Sequence, residues 1–220
     1  RRSNRCFRIK SLPTSFTSNH ETSQPVDSQL AGIKQEHNLM EDKKLAYLIT
    51  RQVQTGGILG AVLICDTNGF PLEFRYTEPI IPTKIQKVLY GNNLEKYLKT
   101  DVILDSLLKV LSNNFDHLIV GDDSLLDYKD AKSIFKVAST QNPLLSGNDK
   151  VQVTSDNECL LRIKLAENPI RLTFPRKFKC EGPEFESITA TMLEMGENID
   201  ILEPMSRVQK SVDLICKREI

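Results

Sequence analysis

The chain has 220 residues, 40% of them hydrophobic and 26% charged, and its 29 basic and 29 acidic side chains leave no formal net charge. That length suits one domain with a substantial core or two small ones, and zero net charge excludes an overall field that would draw the protein to nucleic acid or an anionic membrane. The longest apolar run, ILGAVLIC from Ile58 to Cys65, falls far short of the roughly 18 residues a spanning helix needs, so the chain is not expected to be integral to a membrane.

Charge is unevenly spread. Residues 1 to 40 hold six basic and three acidic side chains, which makes this leader about +3 and the remainder about −3. The stretch RRSNRCFRIKSLPTSFTSNHETSQ is Arg-rich, Ser-rich and poor in acids, the composition of mitochondrial or plastid transit peptides. Import into an organelle is therefore expected, with a disordered basic tail as the alternative. Residues 1 to 40 are set apart from a single α/β domain over residues 41 to 220.

From Glu41 the pattern becomes regular. EDKKLAYLITRQVQ places Leu45, Leu48, Ile49 and Val53 at helical spacing and is stopped by Gly56-Gly57, so it predicts an N-terminal helix. ILGAVLIC predicts a buried strand. FPLEFRYT alternates Phe70, Leu72, Phe74 and Tyr76 with polar residues and predicts a second strand, with Pro71 at an edge or a strand start. A short helix carrying Ile85, Val88 and Leu89 follows, then a longer one from Thr100. HLIV and SIFKVAS are predicted strands, and a boundary between subdomains is placed near residues 141 to 149. VQVTS, CLLRIKLA and IRLTF predict further strands, and two helices begin at PEFESITATMLEM and PMSRVQKSVDLICKR. The expected fold class is α/β or α+β, a mixed sheet with flanking helices, an N-terminal helix before a β-hairpin, and C-terminal helices.

The inventory of reactive groups is thin. Cys6, Cys65, Cys159, Cys180 and Cys216 show no CxxC or zinc spacing, which argues for packed thiols in a reducing compartment. His20 and His37 lie in the leader, so His117 stands alone in the core. Gly56, Gly57 and Gly60 precede a strand, whereas a phosphate loop follows one and opens a helix. No GxxxxGK[ST], GxGxxG or GxSxG is present.

Asp66 ends the strand LICD and opens two readings. Asp-Thr-Asn-Gly has the chemistry of a tight hairpin. A carboxylate at a strand's carboxyl end also projects into the crevice above a sheet. A haloacid-dehalogenase-like site fails, because Asn68 stands where a second aspartate is needed. The succession resembles the RNase H-like layout: a first strand with Asp66, a hairpin partner with Glu73, a helix, and a strand running into Asp122 and Asp123. That resemblance implies converging carboxylates that hold Mg or Mn for phosphodiester hydrolysis. Over residues 45 to 76, GAVLICDTNGFPLEF also resembles the central hairpin of roadblock and longin-type domains, which implies a noncatalytic platform for other subunits. The proline-bounded, helix-rich continuation departs from that pattern.

Two further clusters complete the reading. Arg171, Arg176, Lys177 and Lys179 interleave with Phe174 and Phe178, an arrangement able to stack bases and bind phosphate. Phe74, Tyr76, Ile80, Ile81 and Tyr90 form a candidate interaction element. The leading expectation is a noncatalytic accessory or assembly subunit of an organellar complex, with other protein subunits as partners and no cofactor or metal. Its alternatives are a metal-dependent nuclease of RNase H-like type and an RNA-binding protein.

Overall fold

The computed structural model describes residues 9–12, 43–128, 133–141 and 149–217. The rest of the segment read as a leader, and residues 142–148 of the expected subdomain boundary, lie outside the described residues. Among the described residues no helix is long and apolar enough to cross a membrane.

The expected N-terminal helix is instead a strand. β2 (Lys44–Gln52) pairs antiparallel with β3 (Ile58–Asp66) around the turn at Gly56, whose φ is +78°. The physical reason lies in Leu45 to Ile49, five consecutive residues that are all buried. A helix on a protein surface buries one stripe, whereas a central strand covered on both faces buries every side chain. The helical spacing of Leu45, Leu48 and Ile49 is a coincidence within that continuous run.

β4 (Pro71–Thr77) returns antiparallel to β3, and Pro71 is its first residue. β1 (Ile9–Leu12), inside the segment read as a leader, pairs with the outer side of β4. After a helical excursion, β5 (His117–Val120) lies parallel to β2, and β6 (Ile134–Ser139) parallel to β5. β7 (Val151–Ser155), β8 (Glu158–Leu161) and β9 (Ile170–Thr173) extend the sheet antiparallel from β6. The order is β1-β4-β3-β2-β5-β6-β9-β8-β7, one mixed sheet across the described chain.

Alternation sorts the core into two layers. Leu45, Tyr47, Ile49, Leu63, Ile119 and Phe135 face α4 (Gly182–Asn198) and α5 (Glu203–Lys217). Tyr47 anchors that layer, its hydroxyl donating to Met195 Sδ at 3.3 Å. Ala46, Leu48, Val62, Ile64, Leu118 and Val120 face the other helical layer. After α1 (Lys84–Tyr90), which buries no residue, this second layer is made by a π-helical stretch at Leu98–Leu104 and α3 (Asp105–Lys109), with α2 (Leu94–Tyr97) packed against it. The helix expected to begin at Thr100 thus begins earlier. Thr100 lies inside it, its hydroxyl donating to Lys96 O at 2.8 Å.

Gly60 fixes how closely the π-helical stretch meets the sheet. A Cβ there would stand 2.1 Å from Ile103 Cγ2, and the Gly60 N–H donates to the buried Thr77 Oγ1 at 3.0 Å. Gly60→Ala forces the helix off the sheet at a cost of about 3 kcal/mol. Thermal unfolding should show a Tm lowered by roughly 6 to 12 °C.

Candidate functional site

The sheet divides the four candidate carboxylates between its two ends. Asp66, at the end of β3, pairs with Lys44 at the start of β2. Leu48 pairs with Val120, and the Gly121 N–H donates to Leu48 O at 2.9 Å, so the ladder places Asp122 level with Thr50. The interval from residue 44 to residue 50 spans about 20 Å of strand. Glu73 pairs with Ile64, and Ile64 with Ala46. It therefore lies toward the Asp66 end and three strands from β5, about 14 Å across the sheet. Asp122 and Asp123 share one end of the sheet, and Asp66 and Glu73 are not with them.

Asp66 is held by the turn it opens. Its Oδ1 accepts the N–H groups of Asn68 at 3.0 Å and Phe70 at 2.7 Å, and its carbonyl accepts the Gly69 N–H at 3.0 Å. Gly69 has a φ of +77°, and Arg207 from α5 donates to its carbonyl at 2.6 Å. This is the hairpin reading of Asp-Thr-Asn-Gly realised in full.

Glu73 is 6% exposed and binds backbone. Its carboxylate accepts the Ser112 N–H at 3.0 Å, the Asn113 N–H at 2.9 Å, Asn113 Nδ2 at 3.1 Å and Arg75 Nε at 2.7 Å. Burial alone would raise its pKa. The hydrogen bonds from Asn113, Arg75 and Ser112 outweigh that and hold it at about 2. Glu73 thus ties β4 to the chain leaving α3.

Asp122 and Asp123 follow β5 into a short 3-10 turn, Asp123–Leu125. Asp122 Oδ1 accepts the Ser124 N–H at 2.9 Å, and its Oδ2 accepts Lys99 Nζ at 2.5 Å. Lys99 also reaches Glu95 at 2.7 Å, Lys136 pairs with Asp123 at 2.9 Å, and Lys96 with Asp127 at 2.7 Å. Burial opposes the charge on Asp122, and the Lys99 ammonium more than restores it, so its pKa lies below the ordinary range. Lys99 is raised by the same pairing, against its own burial.

The RNase H-like layout implies Mg or Mn, but these residues do not fit a metal pair. β2 is the first strand of the meander, and its sequence KLAYLITRQ contains no acid. Asp122 and Asp123 stand at the carboxyl end of β5, each engaged by a lysine, and Asp213 of α5 is engaged by Arg51 near the end of β2. Among the described residues no group of three or more His, Cys, Asp or Glu side chains is placed to hold a metal ion. The misreading of β2 as a helix moved the strand count by one and put Asp66 where β2 belongs. Lys99 and Lys136 were missed because their partners are distant in sequence; the i,i+4 spacing of Glu95 and Lys99 was the one local signal.

The other candidates scatter. Phe174 is 1% exposed in the core and is not presented to a base, while Phe178 stacks on it at 4.3 Å and is half-buried. Arg171 pairs with Glu158 at 3.7 Å and Lys179 with Glu181 at 3.7 Å, while Arg176 and Lys177 are exposed. Phe74, Tyr76 and Ile80 are buried in the core; Ile81 and Tyr90 are exposed beside Ile85, Val88 and Leu89. His117 is buried, its Nδ1 lying 2.8 Å from Ser133 Oγ; burial, with Lys43 nearby, lowers its pKa to about 4.

No protein-family model matches the chain, and no curated protein matches it in sequence. Solved structures do resemble it. Human ENDOV superposes with a TM-score of 0.50 at 10% identity, covering 81% of this chain and 86% of that one. Endonuclease V of Ciona intestinalis, in complex with a 23mer DNA containing an inosine followed by a ribo-adenosine, gives 0.49 at 11%, covering 83% and 88%. Marinitoga piezophila Argonaute, in complex with a 5′ OH guide RNA, gives 0.40 at 11%, covering 76% of this chain and 29% of that one.

At such identities the likeness to human ENDOV is one of fold. It corrects the leading expectation of a noncatalytic, cofactor-free accessory subunit, which rested on few candidate catalytic groups, no cofactor loop, an edge strand and the leader. The hairpin is preceded by a strand rather than the helix that a roadblock-like hairpin needs, and the likeness to human ENDOV covers 81% of this chain.

Two measurements check the carboxylate assignments. Asp66→Ala removes a turn acceptor and lowers stability by about 1 kcal/mol in urea unfolding, whereas Asp66→Asn, which keeps an acceptor oxygen, stays near wild type. Glu73 has a depressed folded pKa, so its stabilisation is full above the unfolded value near 4.5 and is lost as pH falls toward 2. The loss is about 3 kcal/mol. Glu73→Gln should be destabilised at neutral pH and show a shallower fall in Tm between pH 4.5 and 2.

Proposed function

We propose that this chain acts on nucleic acid, taking a polynucleotide strand across the carboxyl ends of β2, β5 and β6 on an RNase H-like scaffold. The observation that carries the reading is the position of Asp122 and Asp123, with their lysines, at the carboxyl ends of parallel strands. Open α/β sheets bind ligands in that crevice. The fold shared with human ENDOV supports the same reading. Lys84 and Lys87 on α1 lie at this end of the sheet, because α1 follows the end of β4, near where β2 terminates. Phosphates would compete with the carboxylates for the lysines. With both signs present in the cluster, affinity is modest and salt-sensitive.

A second reading is phosphodiester cleavage assisted by Mg or Mn, favoured by the adjacent carboxylates Asp122 and Asp123. Both are engaged by lysines, Glu95 shares Lys99 with Asp122, and among the described residues no group of three such side chains is placed to hold a metal ion, so no cleavage step is derived.

Fluorescence anisotropy with single-stranded and duplex DNA and RNA, with and without Mg or Mn, tests both readings. Binding is expected in the micromolar range at low salt, falling linearly in log–log form as salt rises. Lys136→Ala should weaken it severalfold on every sequence. Absence of binding to all four oligonucleotides would overturn the proposal. Metal-dependent product that disappears in Asp122→Asn would establish the second reading.

A further inference from the structure

Cys159 and Cys180 are 21 positions apart in sequence and meet in the fold. Cys159 lies on β8 between Val153 of β7 and Leu172 of β9, fully buried. The chain leaving β9 folds back over β8. The Phe174 N–H donates to Asn157 O at 2.9 Å, Asn157 Nδ2 donates to Phe174 O at 2.9 Å, and the Cys180 N–H donates to Asp156 O at 2.8 Å. This return brings the half-buried Cys180 against Cys159, whose thiol donates a hydrogen bond to the Cys180 sulfur.

We propose that Cys159 and Cys180 form a thiol–disulfide exchange site that takes a small-molecule disulfide and closes a reversible staple between β8 and the entrance to α4. The more exposed Cys180 attacks one sulfur of the small disulfide. A bond forms between them, and the first small thiolate leaves and takes up the proton that Cys180 released. Cys159 then attacks the Cys180 sulfur, the mixed disulfide breaks, and the second small thiol departs with the Cys159 proton. Two electrons pass from the protein sulfurs to the small disulfide.

Geometry favours this pair over the other cysteines among the described residues. Hydrogen-bonded thiols need only a short approach to reach the bonded S–S length of about 2.05 Å. Cys180 sits on irregular backbone just before Gly182, whose φ is +84°, rather than inside a strand or helix. Cys65 is buried on β3, and Cys216 is exposed on α5. Burial, with Asp156 and Glu158 nearby, pushes the Cys180 thiol up to about 11, so exchange at neutral pH is slow and quickens as pH rises.

The inference stands apart from the nucleic-acid reading, and its test uses the full chain. The protein is incubated with oxidised glutathione, remaining thiols are blocked with iodoacetamide, and non-reduced peptides are mapped by mass spectrometry. The expected product joins the Cys159 and Cys180 peptides with the loss of two hydrogen atoms, while buried Cys65 stays open to alkylation once unfolded and the exposed Cys216 is free to carry glutathione. Closing this loop should raise Tm by roughly 5 to 10 °C, reversed by dithiothreitol. Cys180→Ser, at a half-buried position, should fold with the Tm of the reduced chain and show no shift. Alkylation of both cysteines, or wild-type Cys180 left as a glutathione mixed disulfide, would overturn the proposal.

Discussion

The burial of β2 on both faces is the constraint from which the rest of the molecule follows. Leu45 to Ile49 are five apolar residues without a break. A strand with no polar face has to lie between two covering layers, because leaving either face in water would expose about half of this run. The helices α4 and α5 cover the Tyr47 face, and the helical segment from α2 to α3 covers the Leu48 face. β3 and β5 take the two edges of β2, one antiparallel and one parallel.

That placement also decides the electrostatics. Once β3 runs antiparallel to β2, its terminal Asp66 is carried to the end of the sheet where β5 begins, while Asp122 is carried to the end where β5 stops. The acids that remain inside the fold are there to satisfy backbone. Glu73 collects two N–H groups from the chain after α3, and Asp66 collects two within its own hairpin. A buried carboxylate is tolerated only when its oxygens are occupied. Asp122 and Asp123 differ, since their main partners are lysine ammonium groups at a sheet end rather than fixed backbone donors. Such partners can be exchanged for other ions.

Local chemistry was legible where a short stretch decides its own conformation. The Asp-Thr-Asn-Gly hairpin, the strands at Ile58 to Asp66 and Pro71 to Thr77, and the two C-terminal helices follow from turn residues, alternation and proline placement. EDKKLAYLITRQVQ was not legible, because its apolar residues satisfy the helical spacing and the buried-strand pattern alike. The difference between them is made by the layers on either side. The basic-aromatic stretch was hard to read for a related reason: Phe174 and Phe178 alternate with cations in sequence, yet Phe174 is buried in the core and Phe178 packs half-buried against it.

The sequence by itself determined the composition of a mixed α/β chain, the turn at Asp66, the absence of common nucleotide loops and the unequal charge of its first 40 residues. Only the tertiary structure decided that β2 is the central strand, that Asp66 and Asp122 lie at opposite ends of the sheet, and that Lys99, Lys136 and Cys180 meet partners far along the chain. Turn and capping preferences act over a few neighbouring residues and leave a mark in their order. Strand pairing and the meeting of charged or sulfur groups are set by burial over the whole sheet, which no local pattern records.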